Sequence, residues 1–274
     1  MPSSNDYWKN KACLVTGGSA GLGLVLAETL VRHGARVVIN ARDRERLVDA
    51  VAKLKDLGGE AAGVMGDIAE VGFAQQLVTD TVDSLQGLDF VCHAAGRSMR
   101  GELASTSRED FEALWRVNTL AAFELARAAT EPLTTSRGHL VLIGSLASRV
   151  SPRFLGAYSE SKFPLTAMAQ QLRLERGPAG LHTLLVCPGP IARTDEVSSD
   201  RYEAAEQGLP DAATKPGGGA KVSALDPEKL CERILAACEA RKAELVMPGR
   251  ARLLFVLNQI SPKLGDWLLR KMSG

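Results

Sequence analysis

Short apolar runs alternate along this chain with longer stretches in which apolar residues recur every three or four positions. The runs lie near residues 12–16, 36–40, 61–65, 88–93, 139–144, 182–187 and 244–247. Near-continuous apolarity over so short a length predicts strands buried on both faces. Between them the spacing is helical, as in Leu22, Val25, Leu26, Thr29 and Leu30, which fall on one stripe of a helix. Regular alternation of strand and helix predicts a parallel sheet. Right-handed crossovers make it an α/β doubly wound sheet with helices on both faces and the ligand site at the carboxyl ends of the strands. No linker divides the halves, so residues 1–274 are expected to form one domain.

Two segments depart from this rhythm. Residues from Asp195 to about 220 are polar, end in Lys215-Pro216-Gly217-Gly218-Gly219-Ala220, and predict a lid over the site, with a loop of no catalytic role as the alternative. The tail, about 250–272, reads as two short amphipathic helices with basic ends separated by Pro262. Each apolar stripe is short. Packing against the lid or another subunit is therefore preferred to docking on a membrane surface.

Composition narrows the function. The 274 residues are 45% hydrophobic with a formal net charge of +1, enough to bury a large core and without the basic excess expected of a nucleic-acid binder. No apolar run approaches the length of a membrane span, and Met1 to Trp8 lack the features of a signal peptide, so a cytoplasmic location is expected. Cys13, Cys92 and Cys187 fall in predicted strands and Cys231 and Cys238 on one helix. Without paired metal spacing they read as reduced packing residues, with no disulfide and no metal.

Candidate chemistry begins at Thr16-Gly17-Gly18-Ser19-Ala20-Gly21-Leu22-Gly23, which follows the strand Ala12-Cys13-Leu14-Val15 and opens a helix. Glycines there allow a tight turn and close backbone approach to a pyrophosphate, whose charge the helix N-terminus favours. Far downstream, Tyr158 and Lys162 are one helical turn apart, so phenol and ammonium share a face. A cation beside a phenol stabilises its phenolate and makes a proton donor workable near neutral pH.

With these motifs the chain resembles the short-chain dehydrogenase/reductase family from about Lys11 to Gly189. Thr16-Gly17-x-x-x-Gly21-x-Gly23 has the family's spacing, Asp67-Ile68 stands where the family holds the adenine ring, and Asn118 lies within a long helix as the family's asparagine does. Ser145 follows a buried strand thirteen residues ahead of Tyr158, and Pro188-Gly189 closes the set. The family's usual Asn-Ala-Ala-Gly is here His93-Ala94-Ala95-Gly96, a bulkier and titratable replacement.

The resemblance implies a catalytic set of Asn118, Ser145, Tyr158 and Lys162. Implied cofactor contacts are Gly17, Ser19, Gly21, Leu22, Gly23, Arg42, Asp67, Ile68, His93, Gly96, Tyr158, Lys162, Pro188, Ile191 and Thr194. Counting about twenty residues past the last glycine reaches Asp43 and suggests NAD. In the family, however, the acidic residue ends the second strand, where this chain has Ala41, and the next residue, Arg42, resembles the guanidinium that clamps a 2′-phosphate. NADP is therefore favoured, with Asp43 a helix cap. The implied reaction interconverts a ketone and a secondary alcohol. A dinucleotide-binding sensor with little chemistry is the competing class. The family pairs two long helices across a twofold axis, here those near 107–131 and 156–176, whose Ala121, Ala122, Ala126, Ala129, Leu165, Ala167 and Ala169 suggest a homodimer or homotetramer.

Overall fold

A computed structural model describes residues 6–192 and 223–272. Its strands are β1 (Ala12–Thr16), β2 (Arg36–Ala41), β3 (Ala61–Met65), β4 (Phe90–His93), β5 (His139–Ile143), β6 (His182–Pro188) and β7 (Glu244–Met247), in spatial order β3-β2-β1-β4-β5-β6-β7. Every adjacent pair is parallel, as the alternating pattern predicts. The order reverses between β1 and β4, where doubly wound sheets bind ligands.

Alternate residues of each strand feed two cores. Cys13 and Val15 of β1 join Val37, Ile39, Phe90, Cys92, Val141 and Val186 on the face covered by α1 (Gly21–Arg32), α2 (Arg44–Asp56) and α7 (Pro227–Glu239). Leu14 joins Val38, Val91, Leu140, Leu142 and Leu185 on the other face, under α3 (Phe73–Leu85), α5 (Ala121–Thr135) and α6 (Tyr158–Glu175). Two-sided burial explains why the middles of the central strands are apolar, with polar residues such as Arg36, His139 and His182 at their amino ends and Thr16 and His93 at their carboxyl ends. The short helix α4 (Arg108–Trp115) runs into α5 through a single π-helical turn, Arg116–Leu120. A one-residue insertion of this kind re-aims the side chains around it and recurs at functional sites.

The C-terminal tail forms a helical hairpin, α8 (Ala251–Ile260) and α9 (Pro262–Met272). Gly265 sits directly against Asn258, leaving no room for a side chain and fixing how closely the two helices approach. Among the described residues no helix is long and apolar enough to cross a membrane. The small and apolar residues expected to serve a partner are divided: Ala121, Ala122, Ala126, Ala129, Leu165 and Ala169 are buried in the chain's own core, and Ala167 is exposed. Small residues let α5 and α6 pack closely on the sheet, and the outward face carries Leu120, Phe123, Phe163 and Leu174 instead.

All five cysteines are buried and free. At the amino ends of β5 and β6, His139, His182 and Cys238 place potential ligand atoms within 4.8 Å of one another, a grouping their sequence spacing conceals. The imidazoles already have partners. His139 Nδ1 meets His182 Nδ1 at 2.8 Å, Tyr7 Oη meets His139 Nε2 at 2.8 Å, and His182 Nε2 donates to the Lys242 carbonyl at 2.8 Å. Burial lowers both pKa values, that of His139 to about 3.

Candidate active site

The first βα turn brings backbone, not side chains, to the ligand end of the sheet. Gly17 has φ +67°, and a Cβ there would lie 2.8 Å from the Ala95 backbone; a Cβ on Gly23 would overlap the Gly17 carbonyl. Helix α1 starts at Gly21 with no side-chain cap on its first amides. Gly21 has φ +52°, and a Cβ there would meet no atom within 4 Å. This open, amide-lined concavity at a helix N-terminus fits a dinucleotide pyrophosphate.

Tyr158 and Lys162 stand on the first turns of α6, and both line one cavity of about 1080 Å³ together with Leu22, Gly96, Ser145, Pro188 and Ile191. Lys162 Nζ donates to the Ile143 carbonyl at 2.9 Å, which anchors the ammonium at the end of β5. Burial lowers its pKa to about 8, leaving it mostly protonated at neutral pH. Ser145 follows β5 in extended backbone and caps a short 3₁₀ turn, Leu146–Ser148. Its hydroxyl oxygen accepts from Ala147 N–H at 3.1 Å, while its own N–H donates to Ser148 Oγ at 3.0 Å. The reciprocal cap fixes Ser145, which lines the cavity, without consuming its hydroxyl proton.

Asn118 is fully buried in the π turn. It clasps two segments: Arg97 N–H donates to Oδ1 at 2.9 Å, and Nδ2 donates to the Arg97 carbonyl at 2.9 Å and to Ser161 Oγ at 2.8 Å. Ser161 Oγ donates in turn to the Tyr158 carbonyl at 2.7 Å. The side chain thus ties the Gly96 loop to the helix carrying Tyr158 and does not face the cavity. Ser148 and Ser161 are positioning residues that sequence reasoning passed over; the Ser-x-x-Ser spacing at 145–148 was the available sign.

His93 differs from its expected role. Its ring is wholly buried at the end of β4, meets Thr16 Oγ1 at 3.1 Å through Nδ1, and donates from Nε2 to the Val117 carbonyl at 3.3 Å. Both ring nitrogens are used inside the fold, so the imidazole braces β1 and the π turn. Burial, with the nearby Lys162 charge, pushes its pKa down to about 3, so it is neutral.

Of the remaining expected contacts, Ile68 is buried in the core. Asp67 Oδ1 accepts from Ala69 N–H at 2.9 Å, and its Oδ2 pairs with the exposed Arg42 at 3.4 Å. Asp43 accepts from Arg46 N–H at 3.1 Å as the cap of α2. Thr194 and the expected lid lie outside the described residues. The inner faces of α8 and α9 complete the cavity with Leu254, Leu257, Leu268, Leu269 and Met272.

Residues 11–204 match the sequence profile of the short chain dehydrogenases. The chain belongs to that family. This short-chain dehydrogenase is 26% identical over 267 residues to the ketoacyl reductase HetN of Nostoc sp., covering 95% of this chain and 88% of that one. A short chain dehydrogenase from Burkholderia cenocepacia, solved in complex with NADP, superposes with a TM-score of 0.74 at 26% identity over 88% of this chain and 97% of that one. A family member from Burkholderia phymatum, solved in complex with NAD, reaches a TM-score of 0.80 over 94% and 95% of the two chains; at 19% identity that likeness concerns the fold. The dehydrogenase is accordingly an oxidoreductase.

Proposed function

We propose that this short-chain dehydrogenase interconverts a ketone and a secondary alcohol with NADP as hydride partner, in one catalytic domain of a cytoplasmic homo-oligomer. The observation that carries the reading is the convergence of Tyr158, Lys162 and Ser145 on one cavity that also reaches Leu22 of the glycine turn. A sensor needs the turn but not a phenol beside a buried ammonium.

Bound NADP or NADPH accepts or supplies a hydride. The protein supplies the proton and the orientation. In reduction the Tyr158 hydroxyl gives its proton to the carbonyl oxygen, and in oxidation it takes that proton from the alcohol. The Lys162 ammonium, fixed on the Ile143 carbonyl, stabilises the phenolate and offers its remaining N–H groups to the cofactor ribose. Ser145 donates to the substrate oxygen as charge develops there. Asn118 acts through position, holding the Gly96 loop against α6.

NADP is favoured over NAD because Asp43 is engaged as a helix cap, whereas Arg42 is exposed beside the adenine-side residue Asp67. The cavity's aliphatic wall suits a bulky, largely apolar substrate. Loss of NADPH absorbance against a panel of such ketones tests the assignment. At least one should accelerate NADPH consumption well beyond NADH consumption. Tight NADPH binding with no consumption across the panel would favour the sensor instead.

A further inference from the structure

The C-terminal hairpin carries apolar residues on two sides. Leu254 and Leu257 of α8 and Leu268 and Leu269 of α9 line the cavity. The opposite stripes are exposed: Val256 and Ile260 are 50% and 76% accessible, and Leu264 and Trp267 39% and 51%. Water gains nothing from this second face. An amphipathic helix that only roofed a pocket would turn polar residues outwards.

Charge identifies what covers it. Within α8 and α9, Arg252, Lys263, Arg270 and Lys271 face a single acid, Asp266, so the two helices carry +3 in a chain whose formal net charge is +1. Lys271 lies 5.2 Å from the centre of the Trp267 ring, which puts a cation and an indole side by side at the exposed edge. Basic residues flanking an apolar face that includes Trp are the pattern of a helix lying in a membrane interface. A second copy fits poorly, because a twofold contact through this face would set +3 against +3.

We propose that α8 and α9 form a docking surface for a lipid bilayer with anionic headgroups, the apolar stripes entering the acyl boundary and the cations meeting the headgroups. Docking there would bring the cavity's aliphatic wall to the bilayer surface. Co-sedimentation with vesicles reads this without any turnover, so its outcome is separate from that of the reaction assignment.

The full chain should pellet with vesicles of phosphatidylcholine mixed with phosphatidylglycerol, and not with phosphatidylcholine alone. Trp emission should shift to shorter wavelength on binding, and added salt should release the protein. Val256→Glu/Ile260→Glu and, separately, Arg270→Glu/Lys271→Glu should each weaken vesicle binding by about tenfold or more. None of these positions lines the cavity, so NADPH binding and melting temperature should stay as in the unsubstituted protein. Failure of that protein to pellet with anionic vesicles would overturn the proposal, as would equal pelleting with both compositions.

Discussion

His93 stands where the family usually has asparagine, and its burial gives a sign that can be checked. The ordinary imidazole pKa of 6.5 falls to about 3 in the folded protein. Between those values the unfolded chain takes up a proton that the folded one does not. Its contribution to stability is therefore complete above pH 6.5 and is lost as pH falls towards 3, by about 1.4 kcal/mol per pH unit. His93→Asn, which retains hydrogen-bonding groups but cannot titrate, should flatten the fall in urea-unfolding free energy between pH 6 and pH 4 by about that slope. Equal slopes in the two proteins would mean that His93 titrates normally. Arg42 presents the opposite case, an exposed side chain whose pair with Asp67 at 3.4 Å is worth only about 0–1 kcal/mol. Little is lost when it turns to a phosphate. Arg42→Ala should weaken NADPH by about 1.5–3 kcal/mol and NADH far less, as read by fluorescence titration. Equal weakening, or a preference of the unsubstituted protein for NADH, would return the role to Asp43.

At the scale of elements, the glycine turn is the most constrained piece of the site. Gly23 packs so closely on the Gly17 carbonyl that even a methyl group must displace backbone. Gly23→Ala should cost about 1–3 kcal/mol of stability and weaken NADPH binding at least about tenfold, because the α1 amides move with the turn. Unchanged binding in isothermal titration would detach α1 from the cofactor. This turn was legible in the sequence because its requirement is local: a strand, then glycines, then a helix. The central strands were legible for a related reason, since burial on both faces leaves a continuous apolar run with turn residues at its ends. The π turn around Asn118 was not. Arg116–Leu120 has an ordinary helical sequence, and the bonds that Asn118 and Thr119 make to Ser161 join residues far apart in the chain. The bracing role of His93 was hidden likewise, because it depends on Thr16 and Val117.

At the scale of the whole molecule, the distribution of apolar surface separates two faces with different uses. The outward side of α5 and α6 exposes Leu120, Phe123, Phe163 and Leu174 without the hairpin's concentration of positive charge, and large apolar side chains grouped on paired helices favour a self-complementary partner. Light scattering should give a multiple of the 29.2 kDa chain mass, and Phe123→Glu/Phe163→Glu should shift it towards the monomer while the NADPH affinity of the remaining folded protein is kept. A monomer mass for the unsubstituted protein would remove the partner. The sequence indicated the helices but misassigned most of their small residues, Ala167 excepted, because helical spacing alone cannot say which stripe meets the sheet and which meets a neighbour. For the tail, spacing revealed amphipathic helices, yet only the folded hairpin shows that one side closes the cavity and the other is bare. What the fold as a whole must deliver is a phenol able to exchange a proton at that cavity. The most direct test is Tyr158→Phe, assayed for NADPH binding and for turnover of a ketone accepted by the unsubstituted enzyme. Binding within about twofold and turnover reduced by at least about a thousandfold is the predicted result; turnover near that of the unsubstituted enzyme would contradict the account.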